Sequence, residues 1–183
     1  MRPACSPRSR SVLAAALSAL AVPTTAAATS ARERDALAEL PQTPRRVDAT
    51  TVSRAATTET RLLDEINRVR SEHRLPAMRA DRRLALAARW HSAYMLRTNF
   101  FGHHAFTWRI KRARARGPIF SESIAMAPGS ATDARLVVQM WMASPPHRAN
   151  LLRRGFRRVG LAAAVGPFQG TAAALVTAEF AGR

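Results

Sequence analysis

The chain has 183 residues, 47% of them hydrophobic, with 29 basic against 12 acidic side chains and a formal charge of +17. That length allows one domain with a sizeable core. The single cysteine, Cys5, excludes an intrachain disulfide framework and any zinc–thiolate cluster.

Arg2, Arg8 and Arg10 precede an apolar run from Val12 to Val22, followed by T-T-A-A-A-T-S. A basic start, a short apolar segment and a small-residue exit read as a secretory signal over residues 1–28, cleaved near Ala28. The run is shorter than the roughly 20 residues needed to span a bilayer comfortably. A retained anchor or an Ala-rich tail is the alternative. Removing the signal removes Cys5 and three arginines, leaving +14 and no thiol nucleophile. Residues 29–57 contain few large apolar residues and two prolines, and predict a flexible spacer before a domain at 58–183.

In the domain, Leu62, Leu63, Ile66 and Val69 recur at helical spacing, up to a break at Leu75-Pro76. Asp81 can cap a second helix whose inner stripe runs Leu84, Ala87, Ala88, His91 and Met95. A loop from Asn99 to Phe106 follows, then a short basic helix from Trp108 to Arg116, stopped by Gly117-Pro118. Thr132 can cap a further helix through Val137, Met140 and Trp141, limited by Pro145 and Pro146. Val159–Val165 and Ala172–Phe180 flank G-P-F-Q-G and predict a hairpin with a five-residue loop. Helices followed by strands, without strand–helix alternation, imply an α+β fold.

Three separated stretches place polar side chains in apolar settings: N-F-F-G-H-H-A-F with His103 and His104, S-E-S-I-A with Glu122, and S-P-P-H-R-A-N-L-L with His147. Two imidazoles and a carboxylate can hold zinc or another divalent cation with positions left for water. The same groups can serve as acid, base and orienting partner. Their separations, 19 and 25 residues, are not those of a local metal motif. His91 reads as a core histidine, His73 as solvated, and Trp90 and Trp141 as packing residues. Arg148 could brace Glu122 or a carbonyl, Asn150 could satisfy loop amides, and Glu179 reads as edge-exposed or arginine-paired.

The stretches D-E-I-N-R-V-R, L-A-A-R-W-H-S-A-Y-M, N-F-F-G-H, S-E-S-I-A, W-M-A-S-P-P-H-R-A-N-L-L and F-R-R-V-G-L-A stand in the order expected of one group. Over residues 60–182 the chain resembles the bacterial SCP-like branch of the CAP superfamily, which also holds cysteine-rich secretory proteins, venom antigens and pathogenesis-related proteins. The resemblance implies an α–β–α sandwich, a central antiparallel sheet between helical layers, with a cleft on one side. It also implies that His103, Glu122 and His147 are the cleft residues, able to bind Zn2+ or another divalent cation. A second glutamate found in animal and plant members is Ser144 here. Ser121 and Ser123 replace glycine and asparagine beside Glu122, and Pro146 replaces a glycine before His147. Pro145 is expected to hold the approach to His147 extended.

Three functional readings follow. The first is an exported, monomeric binding domain at the cell envelope, secreted or periplasmic, whose His/Glu cleft takes a metal ion, a lipid or another small ligand. The second is a hydrolase using His103 or His147 as base with Glu122 orienting it, without a covalent nucleophile. The third is a polyanion-binding surface formed by Arg109, Lys111, Arg112, Arg114 and Arg116 and by Arg153, Arg154, Arg157 and Arg158. Export argues against an intracellular nucleic-acid role.

Overall fold

A computed structural model describes residues 49–129 and 132–182, with side chains from residue 57 onward. The expected signal peptide and spacer residues 29–48 lie outside the described residues. The elements are α1 (Ala49–Glu72), β1 (Arg79–Ala80), α2 (Arg82–Thr98), α3 (Phe106–Arg112), β2 (Phe120–Pro128), α4 (Ala134–Ala143), α5 (Pro145–Leu152), β3 (Phe156–Phe168) and β4 (Thr171–Gly182). Residues 49–57, expected as spacer, are the start of α1. They contain no proline or glycine to prevent helix formation.

The cap at Asp81 is as the sequence predicts: its carboxylate accepts from Arg83 N at 2.9 Å and Leu84 N at 3.2 Å. For α4 the cap is Asp133 rather than Thr132, accepting from Arg135 N at 2.9 Å and Leu136 N at 3.1 Å. Helix α3 starts at Phe106 and stops at Arg112, before Gly117-Pro118, where Arg114 takes a left-handed φ of 53°. Pro145 and Pro146 do more than end α4. They occupy the first positions of α5, where a proline's missing N–H costs nothing. His147 therefore lies in a helical turn, and only Ser144 before it is extended, with φ −98° and ψ 116°.

The sheet has the order β1-β3-β4-β2. Strand β2, which the sequence reading did not identify, precedes α4 and pairs antiparallel with β4 from Phe120↔Ala181 to Pro128↔Ala173. The sheet is mixed rather than wholly antiparallel, because β1 pairs parallel with β3 at Arg79 and Ala80. The β3–β4 hairpin runs to Phe168↔Thr171, so its loop is two residues rather than five. Gln169 and Gly170 have φ of 48° and 83°, the positive pair a type I′ turn requires.

Helices cover both faces. Leu62, Ile66 and Val69 of α1, Val137 and Trp141 of α4 and Leu151 of α5 pack on Val176, Ala178 and Phe180. Leu84 and Ala87 of α2 and Ile110 of α3 pack near Ala181, while Met95 meets Ile124 and Leu175. Alternation along β4 thus sends successive residues into two different layers. Covered on both faces, β4 is buried from Ala173 to Gly182. Gly160 on β3 is where α2 sits on the sheet: a Cβ there would collide with the backbone of Leu84 and Ala85. Among the described residues, no helix is long and apolar enough to cross a membrane.

Candidate functional site

Glu122 is the centre of the site. It lies on β2 opposite Glu179 of β4, and its side chain is 3% exposed. Two buried carboxylates directly across a strand pair repel unless a proton or a cation intervenes. Arg109 of α3 supplies the cation. Its Nη2 donates to Glu122 Oε2 and, at 3.2 Å, to Glu179 Oε1. Glu122 Oε1 accepts from His103 Nδ1 at 2.6 Å. His91, fully buried on α2, places Nε2 3.7 Å from Glu122 Oε2.

The electrostatics follow from these neighbours. Burial pushes the Glu122 carboxyl up, but the His103 hydrogen bond and the charge of Arg109 outweigh it and hold it below the ordinary value. Glu179 is pushed well above the ordinary carboxylate range, by burial and then by the charge of Glu122. The pair thus places the negative charge on Glu122 and leaves Glu179 protonated. His91 is lowered to about 4, chiefly by burial, and is neutral. The hydrogen bond to Glu122 raises His103. Burial and then the charge of His103 lower His147.

An ionised carboxylate only accepts, so His103 donates Nδ1–H to Glu122. The His103 side chain is 55% exposed. With Nδ1 turned toward the buried carboxylate, Nε2 lies on the open side of the ring. His147, half-buried on α5, is near enough to feel the His103 charge. Asn150, one turn after His147, ties α5 to β2: Nδ2 donates to Glu122 O at 3.0 Å and Ser123 Oγ at 3.2 Å, and Oδ1 accepts from Ser121 Oγ at 2.7 Å. The two serines that replace glycine and asparagine therefore become partners of Asn150.

The structure brings His103 and Glu122 into contact, and His147 within range of the His103 charge. His104 stacks on Tyr94 instead, with centroids 4.5 Å apart. Several expectations change. Arg109, not Arg148, braces Glu122. Glu179 is on a central strand and buried, with the arginine partner, rather than at an edge. His91 is buried as expected, but neither ring nitrogen makes a hydrogen bond among the described residues. Arg109 leaves the proposed basic patch, being 3% exposed, and Arg158 is partly drawn from its cluster by an ion pair to Asp81 at 2.8 Å. Arg109 and Glu179 had one sequence signal: the immediate neighbours of each are apolar, W-R-I and A-E-F.

As direct metal ligands the three candidates are unequal. Both oxygens of Glu122 face donors, one of them a guanidinium, and this arrangement orients the histidine rather than inviting a cation onto the carboxylate. Among the described residues no group of three His, Cys, Asp or Glu side chains is arranged to hold a metal ion. His103 Nε2 and the His147 ring are the donors that remain. A carboxylate behind a histidine is the usual outer support of an imidazole ligand, and Glu122 stands in that place behind His103.

The profile of the cysteine-rich secretory protein family, CAP, matches residues 63–179. No curated protein matches the chain. Among solved structures, it is similar to an extracellular protein containing an SCP domain from Bacillus anthracis, at 24% identity and a TM-score of 0.59 over 76% of this chain and 45% of that one. A cysteine-rich secretory protein from Staphylococcus aureus aligns at 17% identity and a TM-score of 0.54, over 77% and 42% of the two chains. An outer surface protein from Borrelia burgdorferi aligns at 16% identity and a TM-score of 0.58, over 77% and 100%. The chain thus spans less than half the length of the first two. At these identities the likeness concerns the fold.

Proposed function

Since the chain belongs to the cysteine-rich secretory protein family, we propose that it is exported and that its cleft, edged by His103 and His147, binds a small ligand at the cell envelope, with a divalent cation such as zinc first among candidates. One contact carries this reading: His103 Nδ1 is tied to buried Glu122 at 2.6 Å while the side chain stays 55% exposed. That contact prepares Nε2 as a donor facing outward. His103 and His147 would hold the cation and water would complete its shell. A bound cation would supply Lewis acidity toward an oxygen of a further ligand. The extracellular and outer-surface nature of the bacterial neighbours and the sequence of residues 1–28 support export. Calorimetric titration with zinc tests the cleft. Heat of binding is expected for the wild type and lost in His147→Ala; equal heats, or none from either protein, remove the reading.

A second reading has its own observation. From Arg82 to Ser121 the sequence contains no acidic residue. Arg97, Lys111, Arg112 and Arg116 are exposed there beside Phe100, Phe101 and Trp108. Such a surface suits an anionic partner such as an acidic lipid headgroup. Co-sedimentation with anionic vesicles should weaken steeply with salt and in the double variant Lys111→Ala/Arg112→Ala. Salt-independent binding contradicts it.

A further inference from the structure

We infer that Arg109 is a positioning residue of the cleft: clamping Glu122 from behind, it holds His103 with Nδ1 turned inward and Nε2 presented to the open side. The inference rests on the reading that His103 lines the cleft, and goes beyond it by assigning what sets the ring.

The geometry is specific. Glu122 and Glu179 are cross-strand partners on the sheet face covered by α2 and α3, and Arg109 is the cation whose side chain lies between them. One nitrogen, Nη2, serves both carboxylates. It engages Oε2 of Glu122 and leaves Oε1 to His103. Both carboxylates are at most 3% exposed, so water cannot replace the guanidinium as their partner. Without it Oε2 of Glu122 has no cationic partner, and nothing behind the carboxylate fixes which oxygen faces His103. His103 itself is over half exposed and lies on a loop, so it has few other restraints on its ring.

The sequence adds a second link. Arg109 follows His103 by six residues, and between them Ala105 takes a left-handed φ of 47° that turns the loop into α3. The arginine therefore anchors the segment carrying His103 as well as the carboxylate that receives its proton. Arginine suits both tasks, since it stays charged in a buried position where a lysine's ammonium readily gives up its proton.

The test reads the His103 ring directly in metal-free protein by 15N–1H correlation, at a pH where the ring is neutral. Wild type should show one tautomer, protonated on Nδ1 with Nε2 bare. Arg109→Gln should convert this to a mixture of both tautomers, and Arg109→Lys should do so in part. Glu179→Gln should leave the wild-type tautomer, because the clamp on Glu122 remains. Zinc affinity should fall roughly 10- to 100-fold in Arg109→Gln, the usual cost of losing outer support of a ligand. A wild-type ring protonated on Nε2 overturns the inference. So does a folded Arg109→Gln with the wild-type tautomer. If neither arginine variant folds, the residue is structural and the inference falls. Because the tautomer is read without metal, absence of zinc binding would sink the proposed function while leaving this result standing.

Discussion

Two arginines are buried in the described domain, and they are partnered in opposite ways. Arg70 of α1 is fully buried and meets neutral dipoles. Nε donates to Pro76 O at 3.0 Å, Nη1 to Leu151 O at 2.5 Å and Arg153 O at 3.2 Å, and Nη2 to Phe156 O at 3.1 Å. It staples the end of α5 and the start of β3 to α1. Arg109, beneath the other layer, meets two carboxylates with one nitrogen, while Nε and Nη1 have no hydrogen-bond partner among the described residues. A guanidinium satisfied by carbonyls closes a structure and changes no neighbour's protonation. One shared between acids divides their charge, leaving Glu122 ionised and Glu179 protonated. The first region is built for stability, and the second holds a titratable group in a chosen state.

The contrast can be broken most severely at Arg70. Arg70→Met should destabilise the domain by about 4 kcal/mol, since four carbonyls lose a buried donor. Urea unfolding should give the same loss at pH 5 and pH 8, and Arg70→Lys should recover little of it. A loss below about 1 kcal/mol would show that the staple is dispensable.

The Arg109 side should instead be sensitive to pH. The fold keeps His91 neutral down to about pH 4, whereas the unfolded chain takes up its proton near 6.5. Stability should therefore decline as pH falls from 6.5 toward 4, by roughly 3 kcal/mol from this group alone. His91→Phe should flatten that limb. His103, raised by its bond to Glu122, adds stability that is fully present below 6.5 and is lost as pH rises above it, so it does not shape this acid limb; its effect is weak because it is exposed. An unchanged acid limb in His91→Phe would place the titration elsewhere.

Glu179 sharpens the comparison from the alkaline side. Its raised value means that stability is fully present below 4.5 and is lost as pH rises through the folded-state value. Glu179→Gln mimics the protonated acid and should gain stability relative to wild type as pH rises. Melting temperatures recorded against pH check this; parallel curves would mean that Glu179 is ionised in the fold. The smallest effect belongs to a surface arginine. Arg89 pairs with Glu59 at 2.8 Å, half exposed, and Arg89→Ala should cost at most about 0.5 kcal/mol, less in high salt.

Much of the architecture could be read along the chain. The stripe on α2 from Leu84 to Met95 is buried as its spacing predicts, because a helix's inner face is set by residues three and four apart. The Asp81 cap and the hairpin near Gln169-Gly170 are likewise local. Strand β2 was not legible, because S-E-S begins it with polar residues and only pairing with β4 explains their burial. Nor could the helical setting of His147 be read from P-P-H, where two prolines end one helix and open the next.

By itself the sequence determined four of the helices, the closing hairpin, the family, and the three stretches that carry His103, Glu122 and His147. Each of these depends on residues a few positions apart or on motifs in order. Only the tertiary structure decided that Glu179 faces Glu122, that Arg109 lies between them, and that Arg148 does not. Strand register and the seating of α3 under the sheet join residues 13 and 70 positions apart. No local periodicity encodes such contacts, and in a buried setting those neighbours set the charge of each group.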